Sequence, residues 1–336
     1  MTRPLLAVVI ATATLGPASA QQSPTFRIAT DLVSIYATVT DRSGRLVTDL
    51  TRDDFEVRDN GRRQTLSLFS NDLEPFSAVV MIDRSGSMAS NFELVRQAAA
   101  TFVNHLLEGD RLRIGSFSQD IVLSPATFTD DRELLLEILR EDLQDAGGSP
   151  VWEAIDRSIT AVSSEPGRRV VLVFSDGDNT GSSDGPSVGV EDLIRRAEQH
   201  NVMVYAIGFS IVETHRVTSP VFPRPRPPIT RPRPFPPGGA LPFGQWGSPV
   251  LTRTTTRPPH PGLEQLASAS GGGYFEMSAS TGLATIFARV AEELHRQYWL
   301  GFTPSTRDGR VHRLDVRVRR SGLTVRARRD YLAAAN

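Results

Sequence analysis

Neither cysteine nor lysine occurs among the 336 residues. Without cysteine there can be no disulfide, no thiolate nucleophile and no sulfur-ligated zinc or iron–sulfur centre, so stability rests on packing. Without lysine there is no Walker A phosphate loop, no Schiff-base chemistry and no lysine general base. All 37 basic residues are therefore arginines, set against 38 acidic ones, and with a net charge of −1 the whole molecule does not read as a nucleic-acid binder, so any basic patch must be local. Long apolar runs are also missing, apart from residues 5–15, which follow Arg3 and precede Ala18-Ser19-Ala20. A basic start, a short apolar run and a small-residue cleavage site make residues 1–20 a signal peptide, since a membrane span needs about twenty apolar residues. The expected product is secreted or periplasmic, begins near Gln21, and has no transmembrane segment and no lipid-bearing cysteine.

What is present, 39% hydrophobic and 22% charged residues, suits a chain that buries a core. Residues 21–74 read as strands, alternating over 32–39, turning at 41–44, and resuming at Phe55 and Val57 before the hairpin signal Asn60-Gly61. Residues 75–295 change character, with apolar runs alternating with helical ones as in a doubly wound, Rossmann-like α/β domain with a mostly parallel six-stranded sheet. Strands are expected at 77–83, 111–117, 121–123, 170–174, 202–209 and 274–277, the second and third as an antiparallel edge hairpin because too few residues join them for a crossover. Helices are expected to follow Phe92, Asp130, Ser149-Pro150, Val190, Leu263 and Leu283, with Asp130 and Glu133 forming a capping box. Residues 217–262 hold fourteen of the 23 prolines, so 211–262 reads as a disordered or polyproline insertion, a spacer or a contact for anionic surface polymers. The tail, 296–336, is β again, with a hairpin turn near Ser321-Gly322. Each β end is too small to stand alone, so both are expected to pair into one sandwich-like module into which the α/β domain is inserted.

The first α/β strand ends in Asp83-Arg84-Ser85-Gly86-Ser87, which places a carboxylate and two hydroxyls on one tight turn. With strand order 3-2-1-4-5-6, strands one and four straddle the switch point where ligands bind, and strand four ends in Ser175-Asp176-Gly177. The intervening loop Gly147-Gly148-Ser149 adds a third hydroxyl at a helix start. Two carboxylates and three hydroxyls, with no nitrogen or sulfur donor, describe a hard-cation site suited to Mg²⁺ and also to Mn²⁺ or Ca²⁺. Two carboxylates only neutralise the ion, which leaves it an appetite for one further anionic oxygen, such as an Asp or Glu of a protein partner.

Asp83-x-Ser85-x-Ser87, Gly148-Ser149 and Asp176-Gly177 together resemble the metal-ion-dependent adhesion site of von Willebrand factor A domains, over residues 76–295. The resemblance implies that Ser85, Ser87 and a loop hydroxyl touch the metal directly and that Asp83 and Asp176 act directly or through water. The family's loop residue is threonine; here Ser149 keeps the oxygen and loses a methyl group, which loosens its orientation. The resemblance also implies that the last helix, 283–295, shifts on ligand binding and reaches the tail through Gln297-Tyr298-Trp299. The flanking Asp53-Asp54-Phe55, Asp59-Asn60-Gly61 and Tyr298-Trp299-Leu300-Gly301-Phe302 look like the secreted bacterial, acidobacterial-type subgroup of such proteins.

Two other readings compete. A serine hydrolase would draw on Ser85, Ser87 or Ser175, but there is no G-x-S-x-G elbow, and none of the histidines in regular elements falls in the serine-bearing loops. A scaffold would use the metal only to staple loops, gaining thermal stability and no partner. The reading with most support is a non-catalytic, metal-dependent protein-binding module.

Overall fold

The computed structural model describes residues 32–141, 148–179, 188–217, 251–277 and 282–335. The expected signal peptide lies outside them. The chain opens with strands Val33–Thr40 (β1), Phe55–Asp59 (β2), Arg62–Gln64 (β3) and Leu68–Ser70 (β4). The α/β unit follows as Phe76–Asp83 (β5), Phe92–Asn104 (α1), Arg111–Phe117 (β6), Ile121–Thr129 (β7), Arg132–Glu141 (α2), Val151–Val162 (α3), Arg168–Ser175 (β8), Val190–His200 (α4) and Val202–Phe209 (β9). It continues as Ile211–Val217 (β10), Leu251–Arg257 (β11), Pro261–Ser270 (α5), Tyr274–Met277 (β12) and Leu283–His295 (α6). The tail holds Tyr298–Phe302 (β13), Val311–Val318 (β14), Thr324–Arg326 (β15) and Asp330–Leu332 (β16).

The central sheet runs β12-β9-β8-β5-β6-β7, which is the expected strand order, and only the β6–β7 edge pair is antiparallel. Its middle strands are apolar on both faces because both are covered. Ala78, Val80 and Ile82 of β5 join a core with Phe102 of α1 and Phe287 of α6, while Val79 and Met81 join Ile155 of α3 and Leu266 of α5 on the opposite face. Covering a sheet from both sides reverses the winding between β5 and β8, and their carboxyl ends open side by side.

Two short sheets flank this unit, β15-β1-β13-β4 and β16-β14-β2-β3, and each mixes strands from both chain ends. β1 pairs with β13 from Val33↔Phe302 to Ala37↔Tyr298, and β2 with β14 from Phe55↔Val318 to Asp59↔Leu314. Their shared core is separate from the other two and centres on Ile35, Phe55, Tyr298 and Phe302, with the Phe55 and Tyr298 rings 4.9 Å apart. The Asn60-Gly61 turn has φ of 46° and 81°, the type I′ geometry that matches strand twist. Asp59 at its foot accepts from the Tyr331 hydroxyl at 3.0 Å and sits 2.8 Å from Nδ1 of His312.

The flanking sheets are tied to the end of α6 by buried polar contacts. Glu293 accepts from Tyr205 at 2.6 Å, from Thr38 at 3.2 Å and from Arg326, while Nε2 of Gln297 donates to Thr38 and Tyr205, each at 3.1 Å. His295 pairs with Asp110 at 2.6 Å inside the domain. Buried groups of this kind cost free energy unless satisfied, so they hold α6 in one place relative to β1 and β9.

Three local expectations are corrected. Asp131, not Asp130, caps α2, accepting from the Leu134 amide at 3.1 Å. The stretch 211–262 is not disordered throughout: β10 and β11 form an antiparallel ribbon from Ile211↔Arg257 to Val217↔Leu251, α5 already begins at Pro261, and residues 218–250 lie outside the described set. The turn at Ser321-Gly322 exists, with Gly322 at φ 80°, but its strands do not form a hairpin, because β14 joins β2 and β16 while β15 joins β1.

Candidate metal centre

Asp83 is the last residue of β5 and is fully buried, and its carboxylate is held by main-chain and hydroxyl donors. Its Oδ1 accepts from the Ser85 amide at 2.8 Å, and its Oδ2 from Ser175 Oγ at 2.5 Å and Ser149 Oγ at 3.4 Å. Ser85 and Ser87 share a hydrogen bond of 3.0 Å between their hydroxyls, and Ser87 donates to Asp176 Oδ2 at 2.7 Å. The five residues singled out from sequence thus form one connected cluster, with Asp83, Ser85, Ser149 and Asp176 buried and Ser87 at the surface. Pro150, not Ser149, occupies the N-cap position of α3, so Ser149 turns its hydroxyl to Asp83 instead of capping a helix.

Burial pushes the Asp83 carboxyl up to about 6, against the opposing hydrogen bonds from Ser175 and Ser85, and the neighbouring Asp176 charge pushes the same way. The Asp83 carboxylate, beside a second one and fed only by neutral donors, is electrostatically under-compensated, a deficit that a cation would answer. Among the described residues no group of three or more His, Cys, Asp or Glu converges, so any ion here depends on the serine hydroxyls as much as on the two carboxylates. That donor set fits a hard divalent ion and no soft one.

Three contributors escaped sequence reasoning. Ser175, weighed there only as a nucleophile, orients Asp83 and accepts from the Gly177 amide at 2.8 Å. Arg257, at the foot of the ribbon, bonds Asp178 Oδ2 at 3.0 Å and stands 3.9 Å from Asp176 Oδ2. The His260 amide donates to the Asp176 carbonyl at 3.1 Å, and its Nδ1 accepts from the Gly262 amide at 3.0 Å, so the imidazole caps α5. Gly177 has φ 74° and faces His260 so closely that a Cβ would stand 2.7 Å from the His260 Cβ. The signal for Ser175 is its place beside Asp176; nothing in sequence links Arg257 to a turn some eighty positions away.

Residues 78–219 match the family model of the von Willebrand factor type A domain, a stretch of less than half the chain. The α/β unit has the von Willebrand factor type A fold. Solved structures similar to this chain include a von Willebrand factor type A protein from Catenulispora acidiphila, 12% identical, covering 89% of this chain and 74% of that one with a TM-score of 0.46. Another is BatB, a conserved hypothetical protein from Bacteroides thetaiotaomicron, 16% identical, covering 65% of this chain and 98% of that one with a TM-score of 0.43. A third is proximal thread matrix protein 1 from the mussel byssus with a zinc-occupied MIDAS motif, 13% identical, covering 71% of this chain and 50% of that one, TM-score 0.46. No curated protein matches the chain in sequence. Within the A-type domain the candidate centre lies at the carboxyl ends of β5 and β8, at the switch point of the sheet.

Proposed function

We propose that Asp83, Ser85, Ser87, Ser149 and Asp176 hold a divalent cation, Mg²⁺ or else Mn²⁺ or Ca²⁺, through which this A-type domain captures an Asp or Glu side chain of a protein partner. The observation that carries the reading is the continuous chain from buried Asp83 through Ser85 and Ser87 to Asp176. With Ser149 bonded to Asp83, it brings two carboxylates and three hydroxyls together with no nitrogen or sulfur donor among them. When bound, the ion supplies a Lewis-acidic coordination position that two carboxylates leave unquenched. Ser175 holds Asp83 in orientation, and exposed Ser87 marks the side open to a partner.

The role is binding without turnover. His105 is engaged with the Thr101 carbonyl of its own helix, His295 with Asp110, His312 with Asp59, and His260 with the start of α5. Among the described residues no helix is long and apolar enough to cross a membrane. A secreted or periplasmic location is part of this reading, supported by the signal-like sequence of residues 1–20 and by flanking motifs that resemble those of secreted bacterial proteins of this type.

Water-proton relaxation of the Mn²⁺-loaded full chain tests the open position. Acetyl-glutamate amide should lower the relaxation enhancement by displacing metal-bound water, and the isosteric glutamine amide should not. Equal responses to both would mean that the ion is a structural staple with no place for a carboxylate.

A further inference from the structure

The seam between the A-type unit and the flanking sheets contains two hollows that meet. The larger, of about 600 Å³, is bordered by Glu198, Gln199 and Asn201 where α4 ends, and by Ser34 and Arg328 of the flanking module. The smaller, of about 190 Å³, is bordered by Glu74 and Arg168. Tyr36, Gly167 and Trp299 border both. Tyr36 and Trp299 are register partners on β1 and β13, and their rings stack with centroids 6.2 Å apart and planes at 25°. A bond of 3.1 Å from the indole Nε1 to Ser34 Oγ fixes the Trp299 ring, which stays half-buried where the hollows join. Gly167 leaves open space at this point, with nothing within 4 Å of where a Cβ would stand.

Each hollow has a sheltered guanidinium with idle donors and a carboxylate that does not touch it. Arg168 is 1% exposed; it donates from Nη1 to the Leu294 carbonyl and lies 4.6 Å from the Tyr36 ring centre, but its Nε and Nη2 find no acceptor. Arg328 donates from Nη2 to the Ser34 carbonyl at 2.5 Å, and its Nε finds no acceptor. Glu74 acts on Arg168, and Glu198 on Arg328, only through space, since neither carboxylate is close enough to form an ion pair. Burial raises the Glu198 carboxyl and lowers both guanidinium groups, against the attraction within each pair. Such groups cost free energy until a partner reaches them. A hydroxyl accepts from a guanidinium and donates to a carboxylate at once, so a polyol can bridge both separated pairs, whereas an anion would suit the arginine and be repelled by the glutamate. A sugar ring also offers an apolar C–H face to an aromatic ring.

We infer that this cleft is a second binding site, which takes a segment of a neutral polysaccharide. One sugar ring packs on Trp299, and hydroxyls on either side of it lie between Arg168 and Glu74 and between Arg328 and Glu198, with Gln199 and Asn201 beside the latter. Arg168 begins β8 whereas Asp176 follows its end, so the cleft and the candidate metal centre are at opposite ends of the central sheet and the sugar site needs no metal.

Calorimetric titration of the full chain in a chelator tests the inference, using neutral β-1,4-linked tetrasaccharides of glucose, N-acetylglucosamine, mannose and xylose beside the anionic tetragalacturonate. At least one neutral sugar should bind saturably, at about one per chain. Glu74→Gln and Glu198→Gln should each weaken that binding about tenfold, and Trp299→Phe should weaken it several-fold, with circular dichroism and thermal melting checking that each variant is folded. Failure of all four neutral sugars to bind would overturn the proposal. So would tighter binding of tetragalacturonate than of every neutral sugar, or neutral-sugar binding left unchanged by both glutamate substitutions.

Discussion

At the scale of single residues, Asp83 carries an electrostatic cost of burial, partly offset by hydrogen bonds from Ser175 and Ser85. Its carboxyl is raised from 3.8 to about 6, so the folded, metal-free chain binds more protons than the unfolded chain between those values. Stability of chelator-stripped protein therefore falls as pH rises across that window. Asp83→Asn removes the penalty: at pH 8 the metal-free variant should be more stable than wild type by up to about 3 kcal/mol, with the difference vanishing near pH 4. Urea denaturation at both pH values measures this; a variant destabilised equally at both would contradict it. Ser149→Thr restores a methyl group that stiffens the hydroxyl, and should tighten metal binding by a few fold in a calorimetric comparison. The five candidate ligands were legible in sequence because four of them sit beside strand ends or turns whose chemistry is local. Arg257 was not, since only the folded ribbon brings it to Asp176 and Asp178.

At the scale of elements, the ribbon of β10 and β11 leans on the candidate centre through Arg257, which offers the two aspartates a counter-charge in the absence of an ion. A divalent cation held at this cluster would compete with that guanidinium for Asp176. Arg257→Gln should strengthen metal affinity a few fold at low ionic strength and less at high salt, because the residue is partly exposed and screened. Titrations at two salt concentrations check this; unchanged affinity at both would assign Arg257 to loop packing alone. The ribbon was obscured by its surroundings, fourteen prolines over 217–262, although Ile211-Val212 and Thr254-Thr255-Thr256 carry the β-branched residues of strands. In the tail, the glycine turn was readable and the partners of β14 and β15 were not. A turn constrains only the chain direction, whereas edge selection depends on cores that assemble from distant segments.

At the scale of the whole molecule, the two chain ends complete one another and clasp the last helix of the A-type domain. The alternation of Val33–Thr40 indicated a strand, and its length indicated that it needed a partner, but the register Val33↔Phe302 is set by the packing of Ile35, Tyr298 and Phe302. Phe302 is fully buried there, so Phe302→Ala should cost about 3–5 kcal/mol. Because Glu293 and Gln297 link the sheets to α6 and β9, the loss should appear in one cooperative thermal transition. Two separated transitions in calorimetry would show instead that the flanking module unfolds independently of the domain.

The central claim is that the cluster at the ends of β5 and β8 binds a divalent cation. Calorimetric titration of Mg²⁺ and Mn²⁺ into the chelator-stripped chain, beside Asp83→Ala, tests it most directly. Saturable binding of about one ion per chain, lost in the variant, is the predicted result. No heat of binding in the wild type, or the same stoichiometry and affinity in both proteins, would contradict it.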